Sequence, residues 1–249
     1  MTGLVQLEFG VSGARRMAFA PLTGACERAA PGPDLLLQTL ALPGDGWVFG
    51  AAIDQLTVGD RDRAIAGLYR QLYGDAILAD AVCTGCAATY EIRFGLADLV
   101  ASRRPDGSAG GDPPVVTLGQ SRLRLPTIAD LSGPPDGFLA RLTLQGPAPD
   151  PETASQALEN ADPALELDLS GICPECQAVQ TSPFSVSAFL RAALRRDLGF
   201  LTREVHLIAS TYHWSFDEIL RLSRQERQSF ARLLIAEREA AASPLRRLS

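Results

Sequence analysis

The chain has 249 residues, of which 46% are hydrophobic and 21% charged, and its formal net charge is −6. These proportions are ordinary for a folded soluble protein, and no apolar run reaches the roughly 18 residues that a membrane-spanning helix needs. The charge is unevenly divided, because residues 190–249 carry 11 arginines and 7 acidic residues whereas residues 1–189 carry 12 arginines and 22 acidic residues.

The chain opens with a pattern that is typical of a β-hairpin. Residues 4–9 and 16–21 alternate apolar and polar side chains around a glycine-containing turn. Thr23 then predicts the cap of a short helix that ends near Ala29. The apolar run at residues 35–42 fits either a helix or a strand.

The clearest helix of the first half begins after Thr57, whose hydroxyl is placed to cap the first turn. It is expected to end at Tyr73, since Gly74 follows. One face of this helix is apolar, which indicates core packing rather than a cofactor site. A second, short helix is predicted at residues 96–102.

Two thiol pairs follow strand-like segments, at 83–86 (Cys-Thr-Gly-Cys) and at 173–176 (Cys-Pro-Glu-Cys). Two residues between cysteines let one turn direct both thiols at the same metal, and zinc bound through sulfur prefers four ligands in a tetrahedron. Neither pair alone completes that shell. We therefore predict one structural Zn²⁺ per chain, held by Cys83, Cys86, Cys173 and Cys176.

Three other interpretations of these cysteines were considered: a redox dithiol, two local disulfides, and buried small side chains. A redox pair would be expected at a helix N-terminus, whereas both pairs lie between strand patterns. Disulfides suit small secreted chains, and no signal peptide is recognisable here. Cys26 has no second ligand nearby and is expected to be a buried or indifferent thiol.

The segments around the two thiol pairs align without a gap at a spacing of 90 residues, so that Val82 matches Ile172 and Phe94 matches Phe184. We interpret this as a degenerate internal duplication. The second copy begins after a breaker-rich linker at residues 103–114, with a predicted hairpin at residues 115–118 and 122–125. Residues 133–163 are proline-rich and only weakly helical, with Thr153 as a candidate cap.

The sequence from residue 185 onward predicts a series of helices. One is expected over residues 187–197, ending at Gly199, and the next begins after Thr202. Two capping boxes follow, in which a serine and a glutamate three residues later open a helix. They are formed by Ser215 with Glu218 and by Ser223 with Glu226.

The last predicted helix carries arginines on one face, including Arg224 and Arg227, and we expect that face to be solvated. Arginine and aromatic residues are enriched in interface hot spots. The predicted partner-binding residues are Tyr212, His213, Trp214, Arg224 and Arg227.

Together these patterns predict an α+β fold: two degenerate hairpin–helix–zinc-knuckle repeats that share one four-cysteine zinc site, followed by a C-terminal helical segment. The expected organisation is a first repeat at residues 1–102, a linker at 103–114, a second repeat at 115–184 and a helical region at 185–249.

No phosphate-binding loop, nucleophile elbow or metallohydrolase motif is present in the sequence, and the two histidines suggest packing rather than catalysis. We therefore expect no enzymatic activity. A zinc-ribbon protein that binds nucleic acid, or acts in transcription, is the alternative. Such proteins need basic residues near the knuckles to neutralise phosphate, whereas acidic residues flank both thiol pairs here.

Several stretches resemble a known family. They are the segment at 56–62 (Leu-Thr-Val-Gly-Asp-Arg-Asp), the segment at 72–75 (Leu-Tyr-Gly-Asp), the first thiol pair, and the segment at 96–99 (Leu-Ala-Asp-Leu). Together they are similar to the T-even-type phage baseplate proteins, the baseplate hub assembly chaperones. Residues 204–220 also resemble a helical motif of tail-assembly proteins.

The resemblance implies an assembly factor or structural component of the baseplate hub or wedge, in a contractile phage tail or a phage-tail-like injection system. Its partners would be hub, spike or wedge proteins, and neither a specific nucleic acid nor a membrane. The expected location is the bacterial cytoplasm or the assembled tail-like particle. The family supplies no catalytic residues.

Overall fold

The structure is a computed structural model that describes residues 3–242. The predicted α+β class with a C-terminal helical segment is confirmed. The strands are β1 (Val5–Val11), β2 (Ala14–Met17), β3 (Ala76–Val82), β4 (Thr89–Gly95), β5 (Val115–Leu118), β6 (Ser121–Arg124), β7 (Thr143–Gln145), β8 (Glu166–Ile172) and β9 (Val179–Ser185). They form small antiparallel sheets, β1-β2, β3-β4, β5-β6-β7 and β8-β9.

The helices occur throughout the chain and dominate its last part. They are α1 (Gly24–Ala29), α2 (Pro33–Leu40), α3 (Val58–Tyr73), α4 (Leu96–Ser102), α5 (Ile128–Leu131), α6 (Phe138–Leu142), α7 (Pro151–Ala161), α8 (Val186–Tyr212), α9 (Phe216–Arg221) and α10 (Arg224–Ala242), with a 3-10 helix at Gly50–Gln55. Backbone contacts divide the described chain into two units. The first comprises residues 3–19 and 33–190, and the second comprises residues 20–32 and 191–242.

The duplication seen in the sequence appears as two hairpins with the same register. In β3-β4 the pairing runs from Ala76 with Gly95 to Val82 with Thr89. In β8-β9 it runs between the residues that lie 90 positions later in the chain, and a helix follows each hairpin directly. The two thiol pairs therefore occupy equivalent turns.

Helix α3 is fixed in the first unit by a buried carboxylate. Asp60 is fully buried and accepts hydrogen bonds from three successive backbone N–H groups of β1, those of Glu8 (2.7 Å), Phe9 (2.9 Å) and Gly10 (2.8 Å). The guanidinium of Arg63 lies 3.4 Å from the same carboxylate. A buried carboxylate is stable only with such partners, so Asp60 joins the helix to the first strand.

Two further carboxylates connect α3 to the second repeat. Asp162, just after α7, accepts from the backbone N–H of Gly59 at 2.8 Å and from Arg63 at 2.9 Å. Asp62 accepts from the backbone N–H of Leu165 at 2.8 Å, directly before β8. Helix α3 is therefore hydrogen-bonded to both repeats, and it places the second hairpin relative to the first.

The stability of the first unit is expected to fall between pH 4 and pH 7 because of Asp62. Burial raises the pKa of Asp62 to about 6, whereas an aspartate in an unfolded chain titrates near 3.9. The folded state thus retains this proton to higher pH than the unfolded state does. The contribution of the protonated Asp62 to the free energy of unfolding is therefore complete below about pH 4 and is lost as pH rises through about 6. The shift corresponds to at most about 3 kcal/mol.

Urea unfolding of the wild type and of Asp62→Asn across this range tests the effect. As pH rises, the free energy of unfolding of the wild type should fall relative to that of the variant, because asparagine does not titrate. If a metal is bound, its loss in acid would affect both proteins equally. Parallel curves would show that Asp62 is not the titrating group.

The starts of helices are joined in pairs by reciprocal backbone hydrogen bonds, once within each unit. In the first unit the pair is α3 and α5, and in the second unit it is α1 and α10. The bonds run from Val58 N to the Pro126 carbonyl (3.1 Å), Ile128 N to Leu56 (3.0 Å), Gly24 N to Leu222 (3.3 Å) and Arg224 N to Leu22 (2.7 Å). Each pair satisfies N–H groups that the first turn of a helix leaves without intrahelical partners.

Several sequence predictions agree with these elements, and three do not. Thr57 caps α3, which ends at Tyr73 as expected. The predicted helix stop at Gly199 is wrong, because α8 continues through it to Tyr212. The hydroxyl of Thr202 donates to the Leu198 carbonyl at 3.1 Å, as it does inside a helix, rather than capping a new one. Asp150, not Thr153, caps α7.

The second unit has its own apolar core. Buried residues of α8 pack with residues of α9 and α10, and aromatic side chains at the α8–α9 corner lie against them. The core residues are Leu201, Val205, Ile208, Ile219, Leu220 and Leu234. This core explains why α8 is continuous: a glycine inside a helix costs about 1 kcal/mol, which the burial of residues on both sides of Gly199 outweighs.

Candidate metal centre

Each thiol pair lies in a tight turn between two strands. In the first, the backbone N–H of Cys83 donates to the carbonyl of Ala88 at 2.9 Å, and that of Ala87 donates to the carbonyl of Cys83 at 3.0 Å. Ala87 has a φ of 59°, in the left-handed region. The second turn repeats this geometry 90 residues later, with Gln177 at a φ of 60°. A residue with positive φ after the second cysteine reverses the chain, so both thiols point the same way.

The four cysteines predicted as metal ligands meet at one place. The Sγ atoms of Cys83 and Cys176 are 3.6 Å apart, and those of Cys86 and Cys173 are 3.8 Å apart. All four sulfur atoms lie within 4.8 Å of one another. The cluster thus takes two ligands from each repeat.

These distances fit a tetrahedral metal ion. Four sulfurs bound at about 2.3 Å from a central ion are separated from each other by about 3.8 Å. A disulfide would bring two sulfurs to about 2.05 Å, and all five cysteines of the chain are free thiols. The residues therefore form a group that is compatible with a single metal site.

Local electrostatics favour a thiolate at Cys83 but not at two of its neighbours. Hydrogen bonds from the backbone N–H groups of Cys86 and Gly85 lower the pKa of the Cys83 thiol to about 7, and the Gly85 nitrogen lies 3.3 Å from that sulfur. A backbone hydrogen bond at Ala88 lowers the pKa of Cys86, yet hydrogen bonds with the other sulfurs raise it overall to about 12, and the pKa of Cys176 is also raised. Cys83 and Cys173 are buried, whereas Cys86 and Cys176 are exposed. One sulfur of each pair is thus shielded from solvent and the other is at the surface.

Contacts outside the sulfur cluster also join the two hairpins. The side-chain oxygen of Gln180 accepts from the backbone N–H of Thr84 at 2.9 Å and from its hydroxyl at 3.0 Å. The equivalent residues Phe94 and Phe184 contact each other edge to face, with ring centroids 5.3 Å apart. Equivalent positions of the two copies therefore meet across the site, as expected for a pseudo-twofold arrangement.

The remaining predicted site residues lie in the second unit, and they divide into two groups. Tyr212, His213 and Trp214 form an exposed corner between α8 and α9, where His213 has a φ of 58°. The rings of Tyr212 and Trp214 stack at 5.4 Å, and both contact Phe230. We call Tyr212, Trp214 and Phe230 the aromatic corner. The structure places these side chains together, but it shows no partner.

The expectation that Arg224 and Arg227 lie on a solvated face is wrong. Arg227 is 0% exposed and its guanidinium lies 2.8 Å from Glu27 and 3.2 Å from Glu204. Arg224 is also largely buried, in an ion pair with Asp197. The arginines face inward because acidic residues of α1 and α8 lie opposite them, and they are not available to a partner in this conformation.

This buried ion cluster in the second unit was not anticipated from the sequence. Burial raises the pKa of Glu27, although the two arginines oppose that change. The caps alone gave no signal for it. Glu27 and Arg227 each follow a Thr or Ser cap, but Glu218 and Glu226 also follow serine caps and are exposed.

No family model matches the chain, and comparisons with curated proteins and with solved structures gave no match either. Within residues 3–242, no helix is both long enough and apolar enough to cross a membrane.

Proposed function

We propose that this protein is a non-enzymatic assembly factor or structural component of the baseplate hub or wedge of a contractile tail or phage-tail-like injection system. In this proposal one structural zinc ion holds its two repeats together. The observation that carries the structural role is the meeting of four sulfurs from two hairpins 90 residues apart. The assignment to a tail is supported by the sequence stretches that resemble the hub assembly chaperones.

Zinc is the ion that best suits this ligand set. Four thiolates at tetrahedral spacing are typical of structural zinc sites, and such sites are closed to substrate because no coordination position is left for water. Iron also binds four thiolates, so elemental analysis decides the metal. When bound, the ion would supply cross-linking of the two hairpins rather than chemistry.

Nucleic-acid binding is less well supported. Asp80, Glu91, Asp168 and Glu175 are exposed on the hairpins around the cluster. These carboxylates would repel phosphate, and zinc ribbons that bind nucleic acid depend on arginine and lysine at this place. The proposal therefore predicts that a gel-shift assay at physiological salt detects no sequence-dependent binding.

Affinity purification from the native host tests the proposed function. Hub, spike or wedge proteins of a contractile tail should be recovered with the tagged chain, and the exposed His213 at the corner is predicted to contribute. His213→Asn should reduce the recovery without altering thermal unfolding, since asparagine tolerates positive φ. The matched control is His206→Asn, at an exposed position within α8.

Two results would overturn the assignment. Folded, metal-containing protein that recovers no tail component, from a host in which the tail is being made, would remove the tail assembly role. Submicromolar, sequence-dependent binding to an oligonucleotide would instead favour the zinc-ribbon alternative. Sheath, tube and spike genes beside the coding sequence are expected if the proposal is correct.

A further inference from the structure

A groove of about 410 Å³ runs between α8 and α10 in the second unit. Both helices contribute side chains at positions that lie on one helical face, spaced three, four and seven residues apart. The side chains that matter here are Phe200, Arg203 and Leu207 from α8, and Ala231, Arg232 and Ile235 from α10.

The floor of this groove is apolar and open to solvent. Phe200 is 55% exposed and Ile235 is 48% exposed, one from each helix. Large apolar side chains scattered singly on a surface are normal, but here they line one concave strip together with Leu207 and Ala231. Complete burial of a phenylalanine or isoleucine side chain is worth about 1.5–3 kcal/mol, so covering the strip would be favourable.

The rim of the groove is positively charged. Arg203 and Arg232 are exposed, and within residues 3–242 neither of them forms an ion pair. The guanidinium of Arg232 donates to the carbonyl of Gln228 in its own helix, at 3.1 Å. Glu204, the one acidic residue of the lining, is already paired with Arg227 at 3.2 Å. The groove thus presents two arginines without a carboxylate to match them.

We propose that this groove binds an amphipathic helix of another protein, with an apolar ridge flanked by aspartate or glutamate. Helices α8 and α10 run in the same direction, since Asp197 lies beside Arg224 and Thr211 lies beside Arg238. The apolar strip that they share provides the groove into which such a helix fits. Acidic flanks complement Arg203 and Arg232 and would set the orientation of the helix. A second copy of this chain fits less well, because a twofold contact would bring two positively charged rims together.

Synthetic peptides test this directly with the purified full-length protein. Two 18-residue helical peptides carry the same leucine ridge, one with glutamate and the other with lysine on both flanks. We expect the glutamate peptide to bind at least tenfold more tightly in fluorescence anisotropy, and the preference to shrink as salt is raised. A third peptide, with serine in place of the ridge leucines, should not bind.

Charge reversal locates the binding to the groove. The double variant Arg203→Glu/Arg232→Glu should invert the preference, so that the lysine peptide now binds more tightly. The matched control is Arg195→Glu, which reverses an exposed arginine of the same helix outside the groove and should keep the wild-type preference. Circular dichroism and thermal unfolding confirm that each variant is folded.

Several outcomes would refute the inference. These are equal binding of the two charged peptides, no binding at all, and an inversion caused equally by Arg195→Glu. Sedimentation that shows a dimer, dissociated by Ile235→Ser, would mean that the groove is an interface between copies of this chain. No tail component is present in this assay, so its result is independent of the proposed assembly role.

Discussion

Replacing Cys83 by serine is expected to release the metal and to loosen both hairpins together. A two-stranded hairpin is marginally stable by itself, and binding of zinc to a structural thiol site contributes on the order of 10 kcal/mol. That contribution is as large as the net stability of a typical domain. Each hairpin supplies only two ligands. Loss of one sulfur from the first hairpin should therefore also free the second hairpin from the metal.

Elemental analysis and hydrogen exchange measure this effect. Freshly purified wild-type protein should contain one zinc ion per chain, and Cys83→Ser should contain less than a tenth of that. Exchange protection should fall in β8-β9 as well as in β3-β4, and the unfolding temperature should drop. The same outcome is expected for Cys86→Ser, Cys173→Ser and Cys176→Ser.

Cys26 provides the matched control. It lies outside the sulfur cluster, in α1, and Cys26→Ser should change neither the metal content nor the exchange of either hairpin. Two zinc ions per chain, or none in fresh protein, would contradict the shared site. So would a Cys83→Ser variant in which β8-β9 keeps its full protection.

The second large effect is expected at Arg227, where removal of the guanidinium should destabilise the second unit by about 3–5 kcal/mol. Arg227→Met keeps much of the side-chain volume but removes the cation paired with Glu204 and the nearer of the two arginines beside Glu27, which keeps only Arg224 at 3.6 Å. It also removes the hydrogen bond to the Leu222 carbonyl, at 2.8 Å. An uncompensated buried charge is the main cost, because the carboxylates have lost most of their contact with water.

Urea unfolding at several pH values checks this prediction. The deficit of Arg227→Met should shrink as pH falls, since burial already raises the pKa of Glu27 and a protonated Glu27 needs no cation. Adding Glu27→Gln to the variant should therefore recover part of the lost stability. Arg232→Met, which removes an exposed arginine from the same helix, should change stability by less than about 0.5 kcal/mol. A loss below about 1 kcal/mol at Arg227, or no recovery with Glu27→Gln, would show that the cluster is not stabilising.

The cysteine cluster could be predicted because the constraint on each half is local. Two residues between cysteines and a turn between strands define a half-site, and the matching spacing around Phe94 and Phe184 indicated that the halves would meet. The start of α3 was predicted on the same local basis, from the cap at Thr57 and the glycine after Tyr73. Local signals were not sufficient everywhere, because those at Thr153, Gly199 and Thr202 predicted helix boundaries that the structure does not have.

The inward position of Arg227 could not be found in this way. Its helix alone suggests a charged outer face, and the reason for its burial is Glu27, 200 residues earlier in the chain. The helix stop predicted at Gly199 was wrong for a similar reason, because the low helix propensity of this one residue was outweighed by the packing of its neighbours. Residues 133–163 are proline-rich and only weakly helical by sequence, and their elements α6, β7 and α7 depend on packing against β5 and β6.

The reciprocal bonds between the starts of α1 and α10 cannot form until both helices have been synthesised. Helix α1 leaves the ribosome early, but the residues that cover Glu27 follow about 200 positions later. At 5–20 residues per second this delay is about 10–40 s. During that time the Glu27 carboxylate remains in water. The first thiol pair likewise lacks its partner until the second pair has been synthesised. A nascent chain therefore completes the buried ion cluster around Glu27 only after α10 has been made, and a product that ends before α10 would leave this carboxylate without Arg227.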